Sequence, residues 1–219
     1  MIVAIDGPAG VGKSTVAKLL AGRLKYLYLD TGALYRAVAW TVLQQGIDTA
    51  DEEAVAALLP LTSLKMEFEN ESMMIRVNGT NVTGELGDPA VSAAASVVSA
   101  IPAVRAWLLP VQRSIGEKGS VVAEGGDIGT KVFPSAAVKF FLEADATVRA
   151  ERRHRELVAA GHSRKIEQTS AEMAGRDSRD RTRAVAPLVP ADDAHHIDTS
   201  QLSAAEVVDR MMGIIAAKL

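Results

Sequence analysis

Near the start of the chain, Gly7-Pro8-Ala9-Gly10-Val11-Gly12-Lys13-Ser14 fits the pattern G-x-x-x-x-G-K-[ST] at every position. Glycines let a backbone wrap closely round a phosphate, so that successive N–H groups point at its oxygens. A helix starting inside the pattern adds partial positive charge at the same place. In loops of this kind the lysine reaches the β- and γ-phosphates and the hydroxyl binds Mg²⁺. Gly7, Pro8, Ala9, Gly10, Val11, Gly12, Lys13, Ser14 and Thr15 are therefore the candidate residues for holding ATP phosphates. Lys13 is the first candidate for a catalytic role and Ser14 for a metal ligand.

A second partner for Mg²⁺, an acidic one, is expected at the end of a buried strand. Glu124 ends the apolar run Val121-Val122-Ala123 and fills that position. Arginines supply the remaining chemistry. Arg36 closes Asp30-Thr31-Gly32-Ala33-Leu34-Tyr35-Arg36, Arg105 opens a later helix, and Arg176, Arg179, Arg181 and Arg183 lie within eight residues. Residues 149–183 carry ten Arg or Lys and six Asp or Glu, a local +4 in a chain of net charge −3. A basic cluster in an acidic chain suits a small polyanion and not a nucleic-acid surface, which would make the whole domain basic. Part of the cluster is also expected to form helix-surface pairs such as Arg152 with Glu156. A GTPase would need N-K-x-D and D-x-x-G, and neither occurs. A kinase needs a second, arginine-rich anion pocket, and the candidates for one are present.

These residues need a frame, and the chain alternates strand-like with helix-like segments. That predicts an α/β fold, a parallel sheet flanked by helices of the phosphate-loop type. Met1 to Ile5, Leu27 to Leu29, Ser120 to Glu124, Ala137 to Leu142 and His195 to Asp198 read as strands. Ser14 to Leu24 reads as a helix with Val16, Leu19, Leu20 and Leu24 on one side. Gly32 to Gln45, Asp51 to Leu59, Thr147 to Ala160 and Ala204 to Lys218 read as further helices. The alternation breaks at Leu64 to Phe68 and Met73 to Val77, which read as antiparallel strands joined by a turn. Asn78-Gly79, a short strand around Val82 and a small-residue helix from Asp88 to Ser99 follow. This predicts a small inserted β-containing subdomain at about 60–100 within a single domain of 1–219.

Hydrophobic residues make up 48% of the chain and aromatic residues 4%, so the core is expected to be aliphatic. No apolar run spans a bilayer, and no basic segment precedes the first strand. The chain has no cysteine, which excludes disulfides, thiolate zinc sites and a cysteine nucleophile. The four histidines lack metal-ligand spacing. Trp40 and Trp107 fall in helical segments and read as packing residues. The expectation is a cytoplasmic monomer with no membrane or nucleic-acid partner.

Four blocks resemble the bacterial cytidylate kinases, a family of nucleoside monophosphate kinases. They are Ile5-Asp6-Gly7-Pro8, Asp30 to Arg36, Gly125 to Pro134, and Arg176 to Val189 with its Arg183-Ala184-Val185-Ala186-Pro187-Leu188. The blocks run through nearly the whole chain in the family's order. The resemblance implies γ-phosphoryl transfer from ATP to CMP or dCMP, with Mg²⁺. It implies that Arg36, near Thr31, binds the CMP phosphate, and that Ser96, Arg105 and Asp127 read the cytosine edge. It further implies that Arg176 and Asp180 hold sugar hydroxyls, that Arg183 faces the phosphates, and that a mobile lid at about 149–165 brings Arg149, Arg152 and Arg153 over ATP. Asp127 suits its role chemically, since a carboxylate accepts from the cytosine amino group and repels the uracil carbonyl.

The chain departs from the family at Gly125-Gly126-Asp127, where the family reads Gly-Arg-Asp and uses that arginine on the acceptor phosphate. Its loss removes a charge-assisted contact worth about 1.5–3 kcal/mol. Lys131, on the same loop, offers a point charge in place of a planar fork. Gly175 is a second departure, expected to weaken the helix before Arg176. The residues leave two other readings open: a nucleotide-binding protein of this fold with weak or absent transfer, and a phosphate-loop kinase of another small acceptor.

Overall fold

The computed structural model describes residues 1–69, 72–117 and 119–218. In chain order the elements are β1 (Ile2–Asp6), α1 (Lys13–Leu24), β2 (Leu27–Asp30), α2 (Thr31–Gln44), α3 (Glu52–Leu58), β3 (Leu64–Glu69), β4 (Ser72–Val77) and β5 (Thr80–Asn81). Then follow α4 (Pro89–Val98), α5 (Pro102–Gly116), β6 (Val121–Gly125), β7 (Val138–Glu143), α6 (Ala146–Ala159), α7 (Ile166–Thr182), β8 (His195–Asp198) and α8 (Ala204–Ala216). The chain forms two compact units, Met1–Tyr26 with Val121–Leu219, and Leu27–Ser120. Residues 60–100 lie within the second. No single helix among the described residues is long and apolar enough to cross a membrane.

The first unit is built on parallel strands in the order β6-β1-β7-β8. Val3, Ala4 and Ile5 of β1 and Val121, Val122 and Ala123 of β6 are fully buried. That continuous apolar run is what a strand covered on both faces requires. Ile5 stands opposite Glu124 and Asp6 opposite Gly125, so the ends of β1 and β6 deliver the phosphate loop and the acidic residue side by side. Helix α1 buries Val16, Ala17, Leu20 and Ala21. Leu19, expected on that face, is 46% exposed. The two alanines allow close packing, which turns the buried stripe away from Leu19. Helix α8 opens with a capping box of Ser203 and Glu206 and buries Val207, Val208, Met211 and Ile215. Helix α7 runs through Gly175 unbroken, so the expected weakening there does not interrupt it.

The second unit packs α2, α4 and α5 with an antiparallel sheet, β3-β4-β5. Asp30, Asp51 and Asp88 accept hydrogen bonds from Ala33, Ala54 and Ala90 at the starts of α2, α3 and α4. Arg76 pairs with Asn81 and Val77 with Thr80, across a two-residue turn at Asn78 (φ 49°) and Gly79 (φ 83°). Positive φ at both positions is the mark of a tight hairpin turn. The third strand is therefore Thr80–Asn81 and not centred on Val82. Val82 is fully buried just past the strand, and its N–H donates to the Ile75 carbonyl in the register of the two pairs before it. The turn expected between β3 and β4 falls on residues 70 and 71, outside the described residues.

Candidate active site

Strand β1 ends at Asp6, and the chain at once takes the conformation that glycine allows. Gly7 has φ +149°, and a Cβ there would stand 2.3 Å from the Leu142 carbonyl oxygen. Gly10 has φ +78°, and its Cβ would meet the Arg149 carbonyl oxygen at 2.9 Å. The loop is thus pressed between the end of β7 and helix α6, where only glycine fits. Gly12, also left-handed, leads into α1, whose first turn carries Lys13, Ser14 and Thr15. Ser14 and Thr15 are exposed.

Lys13 folds back on its own loop, its Nζ donating to the Pro8 carbonyl at 2.8 Å. Burial pulls its pKa below the ordinary lysine range, Glu124 opposes that pull, and Arg176 adds to it. A phosphate group arriving at the loop would restore the favourable field that burial removes. Glu124 is 3% exposed at the end of β6.

On the other side of the loop, Arg149 is 7% exposed. It donates to the Ala9 carbonyl at 3.0 Å and to the Ala144 carbonyl at 3.2 Å, and pairs with Asp177 of α7 at 2.7 Å. Arg152 donates to the Thr199 hydroxyl at 3.1 Å and the Thr199 carbonyl at 2.6 Å. The Thr199 hydroxyl in turn places its one proton between the Val11 carbonyl at 3.0 Å and the Glu143 carbonyl at 3.1 Å. Two arginines of α6 therefore hold the backbone of the phosphate loop, one directly and one through Thr199. The expected Arg152–Glu156 pair does not form. Arg152 has a buried threonine within reach, and Glu156 takes Arg153 at 3.2 Å on the surface instead. Beside the loop lies a cavity of about 450 Å³, lined by Gly12, Arg152, Arg155, Glu156, Thr199 and Leu202 among others.

The last arginine block closes on Asp127. Arg183, its side chain 7% exposed, donates to the Ala186 carbonyl at 2.7 Å and lies 3.4 Å from Asp180 and 3.8 Å from Asp127. Arg176 approaches Asp180 at 3.6 Å. Asp180 thus stands between the two arginines, about one turn from Arg176 on α7 and from Arg183 at the helix's C-terminal cap. Gly126 sits beside this group: a Cβ there would meet Arg183 Nη2 and Leu188 Cδ1, both at 3.6 Å, which is ordinary contact. Lys131 is exposed.

Asp6, which sequence reasoning left without a role, is 3% exposed. Its two carboxylate oxygens accept from the backbone N–H groups of Ile128 and Gly129, each at 2.7 Å. Burial raises its pKa from 3.8 to about 6, against the pull of those two N–H groups and of Lys13, while Asp127 pushes the same way as burial.

In the second unit, Arg36 pairs with Asp30 at 2.7 Å, while the other Asp30 oxygen caps α2. A Cβ at Gly32 would stand 3.1 Å from both groups, so glycine leaves room for that pair. Thr31 and Ser96 are buried. Arg105, 6% exposed, donates to the Ser99 carbonyl at 2.9 Å and lies over the Tyr35 ring at 5.2 Å. The structure therefore gathers Lys13, Glu124, Asp127, Arg176, Asp180 and Arg183 within the first unit, and holds Arg36 and Arg105 by local partners within the second. Asp6, Asp177 and Thr199 were missed. Each acts on a partner far away in sequence, which no local pattern announces.

Arginine–carboxylate pairs beside a phosphate loop at the end of a parallel sheet are the parts that a kinase of the phosphate-loop class requires. A family model described as cytidylate kinase matches residues 3–217. The chain is 46% identical over 217 residues to the cytidylate kinase of Geobacillus sp. (strain WCH70), covering 99% of this chain and 97% of that protein. It is 47% identical over 218 residues to the cytidylate kinase of Carboxydothermus hydrogenoformans, covering 100% and 98%. A gluconokinase from Sinorhizobium meliloti 1021 shares the fold, with TM-score 0.51 at 17% identity over 98% of this chain and 91% of that one. The chain belongs to the cytidylate kinase family and so to the nucleoside monophosphate kinases.

Proposed function

We propose that this protein transfers the γ-phosphoryl group of ATP to CMP or dCMP, giving ADP and CDP or dCDP. The observation that carries this reading is the gathering of Lys13, Glu124, Asp127, Arg176, Asp180 and Arg183 within one unit. Phosphoryl transfer asks for positioning and neutralisation of charge more than for a general base. Lys13 exchanges the Pro8 carbonyl for the β- and γ-phosphates, the loop backbone from Gly7 to Thr15 holds the phosphate chain, and the cavity beside Thr199 receives the adenosine. Arg149, Arg152 and Arg183 neutralise charge. Arg36, near Thr31, takes the acceptor phosphate. Asp127, with Ser96 and Arg105, reads the cytosine edge, and Arg176 and Asp180 hold the sugar hydroxyls. The segment at about 149–165 acts as a lid that keeps water from the transferring group, its start anchored to the phosphate loop through Arg149 and Arg152 and its remainder closing over ATP.

Ser14 and Glu124 would hold Mg²⁺. They offer one hydroxyl and one carboxylate, and no cluster of three or more His, Cys, Asp or Glu suited to a metal occurs among the described residues. Such a sparse oxygen set fits an ion that keeps several waters and shares the nucleotide phosphates. When bound, Mg²⁺ supplies charge neutralisation between the phosphates. A monomer in the cytoplasm, free of nucleic acid and membrane, completes the reading. A coupled assay for ADP across the nucleoside monophosphates tests it. CMP and dCMP should be the best acceptors, UMP poorer, and AMP and GMP very poor. Best activity on AMP would overturn the assignment.

A further inference from the structure

We infer that Asp6 is a positioning residue, which ties the loop carrying Asp127 to the base of the phosphate loop and so sets where the acceptor's base is read. The inference rests on the reading of Asp127 as a cytosine contact. Asp6 is the last residue of β1, directly before Gly7. Its carboxylate spans 122 and 123 residues of sequence to take the N–H groups of Ile128 and Gly129. Those groups open the single turn Ile128–Val132, and Asp127, at the cap position, does not cap the turn with its own side chain. Two N–H groups at the start of a turn need acceptors. Asp6 supplies both, so Asp127 need not turn back onto its own turn and instead faces Arg183.

The fit around this tie is close. A Cβ at Gly129 would stand 3.3 Å from Asp6 Oδ2 and 3.1 Å from Lys139 Cδ. A methyl group at residue 129 would require Asp6 or the Lys139 stem to give way by a few tenths of an ångström, so glycine suits this close approach. The charged neighbours are Lys13 from the phosphate loop and Asp127 from the tied loop. Lys139 of β7 contributes its methylene stem beneath the turn, and its ammonium pairs with Asp193 at 2.8 Å.

Asp6→Asn keeps the shape and removes one acceptor, setting an amide NH₂ against a backbone N–H. Hydrogen exchange at Ile128 and Gly129 and steady-state kinetics test the tie together. The expected result for Asp6→Asn is loss of protection at both amides, with KM for CMP raised and the preference for CMP over UMP lowered, each by about 10-fold. KM for ATP should stay within about twofold, a split that a general loosening of the fold would not produce. Gly129→Ala presses a methyl group on the same contact and should move the same quantities in the same direction, which keeps the test decisive should Asp6→Asn fail to fold. Unchanged protection, or lost protection with unchanged CMP kinetics, overturns the inference in an enzyme that phosphorylates CMP. A wild-type protein that shows the protection but phosphorylates no CMP overturns the functional reading, and the acceptor role of Asp6 with it.

Discussion

Gly126→Arg supplies the planar cation that the family resemblance leads one to expect beside the acceptor phosphate. The backbone accepts it, because Gly126 is not among the residues with positive φ. The new Cβ would meet Arg183 and Leu188 at 3.6 Å, without overlap. A guanidinium–phosphate contact is worth about 1.5–3 kcal/mol, which corresponds to roughly 10- to 150-fold in kcat/KM. Arg183 already stands in the same place with a side chain 7% exposed. A second guanidinium therefore raises the energy of the free protein, and a dianionic phosphate relieves that repulsion. The variant should melt lower than wild type without ligand and gain more from added CMP. Initial rates at saturating ATP and varied CMP measure the first effect, and thermal melts with and without CMP the second. A fall in KM alone would mean a contact made equally in ground and transition states, and a rise in kcat one that strengthens as charge redistributes. A folded variant with no gain in kcat/KM and no added CMP stabilisation refutes the reasoning. It would mean that Lys131 or another group already fills the role.

Lys13→Ala should lower kcat by at least about 100-fold while circular dichroism stays native, since among the described residues the Lys13 ammonium bonds to Pro8 of its own loop alone; near-normal turnover would remove the loop from catalysis. Asp127→Asn should erode the preference for CMP over UMP by about 10-fold, because an amide presents either a donor or an acceptor; an unchanged ratio would leave base reading to Ser96 and Arg105. Asp177→Ala strands the buried Arg149 guanidinium and should cost roughly 3–5 kcal/mol, read as a lower denaturation midpoint at constant slope; a shift under about 1 kcal/mol would contradict it. Stability should also respond to pH through Asp6, whose carboxyl is raised from 3.8 to about 6. Between those values the folded state binds more protons than the unfolded chain, so this contribution falls as pH rises, by about 3 kcal/mol in all. The stability of wild type minus Asp6→Asn should therefore decline from pH 4 to pH 7, and a flat or rising difference would contradict the assignment.

The glycine loop was legible because its chemistry is local: spacing, strand and helix all lie within the first 24 residues. The arginine block was legible for the same reason, since Arg176 and Arg183 each lie about one turn from Asp180, on the last turns of α7 and at its C-terminal cap. What the sequence did not disclose depends on partners brought together by folding. Thr199 reaches Val11 across 188 residues, and Asp6 reaches Gly129 across 123. Arg152 was expected to follow the helix-surface rule, but a buried threonine outcompeted its neighbour Glu156. Leu19 and Val82 show the same limit for burial. An aliphatic residue fits either side of a helix or strand end, and packing decides which.

Whether the γ-phosphoryl group reaches CMP or water is the central question, and ³¹P NMR of ATP, Mg²⁺ and CMP mixed with the protein answers it directly. The account predicts that CDP and ADP resonances grow together in equal amounts, with no inorganic phosphate beyond the rate seen without CMP. Loss of ATP with matching growth of inorganic phosphate and no CDP would contradict it.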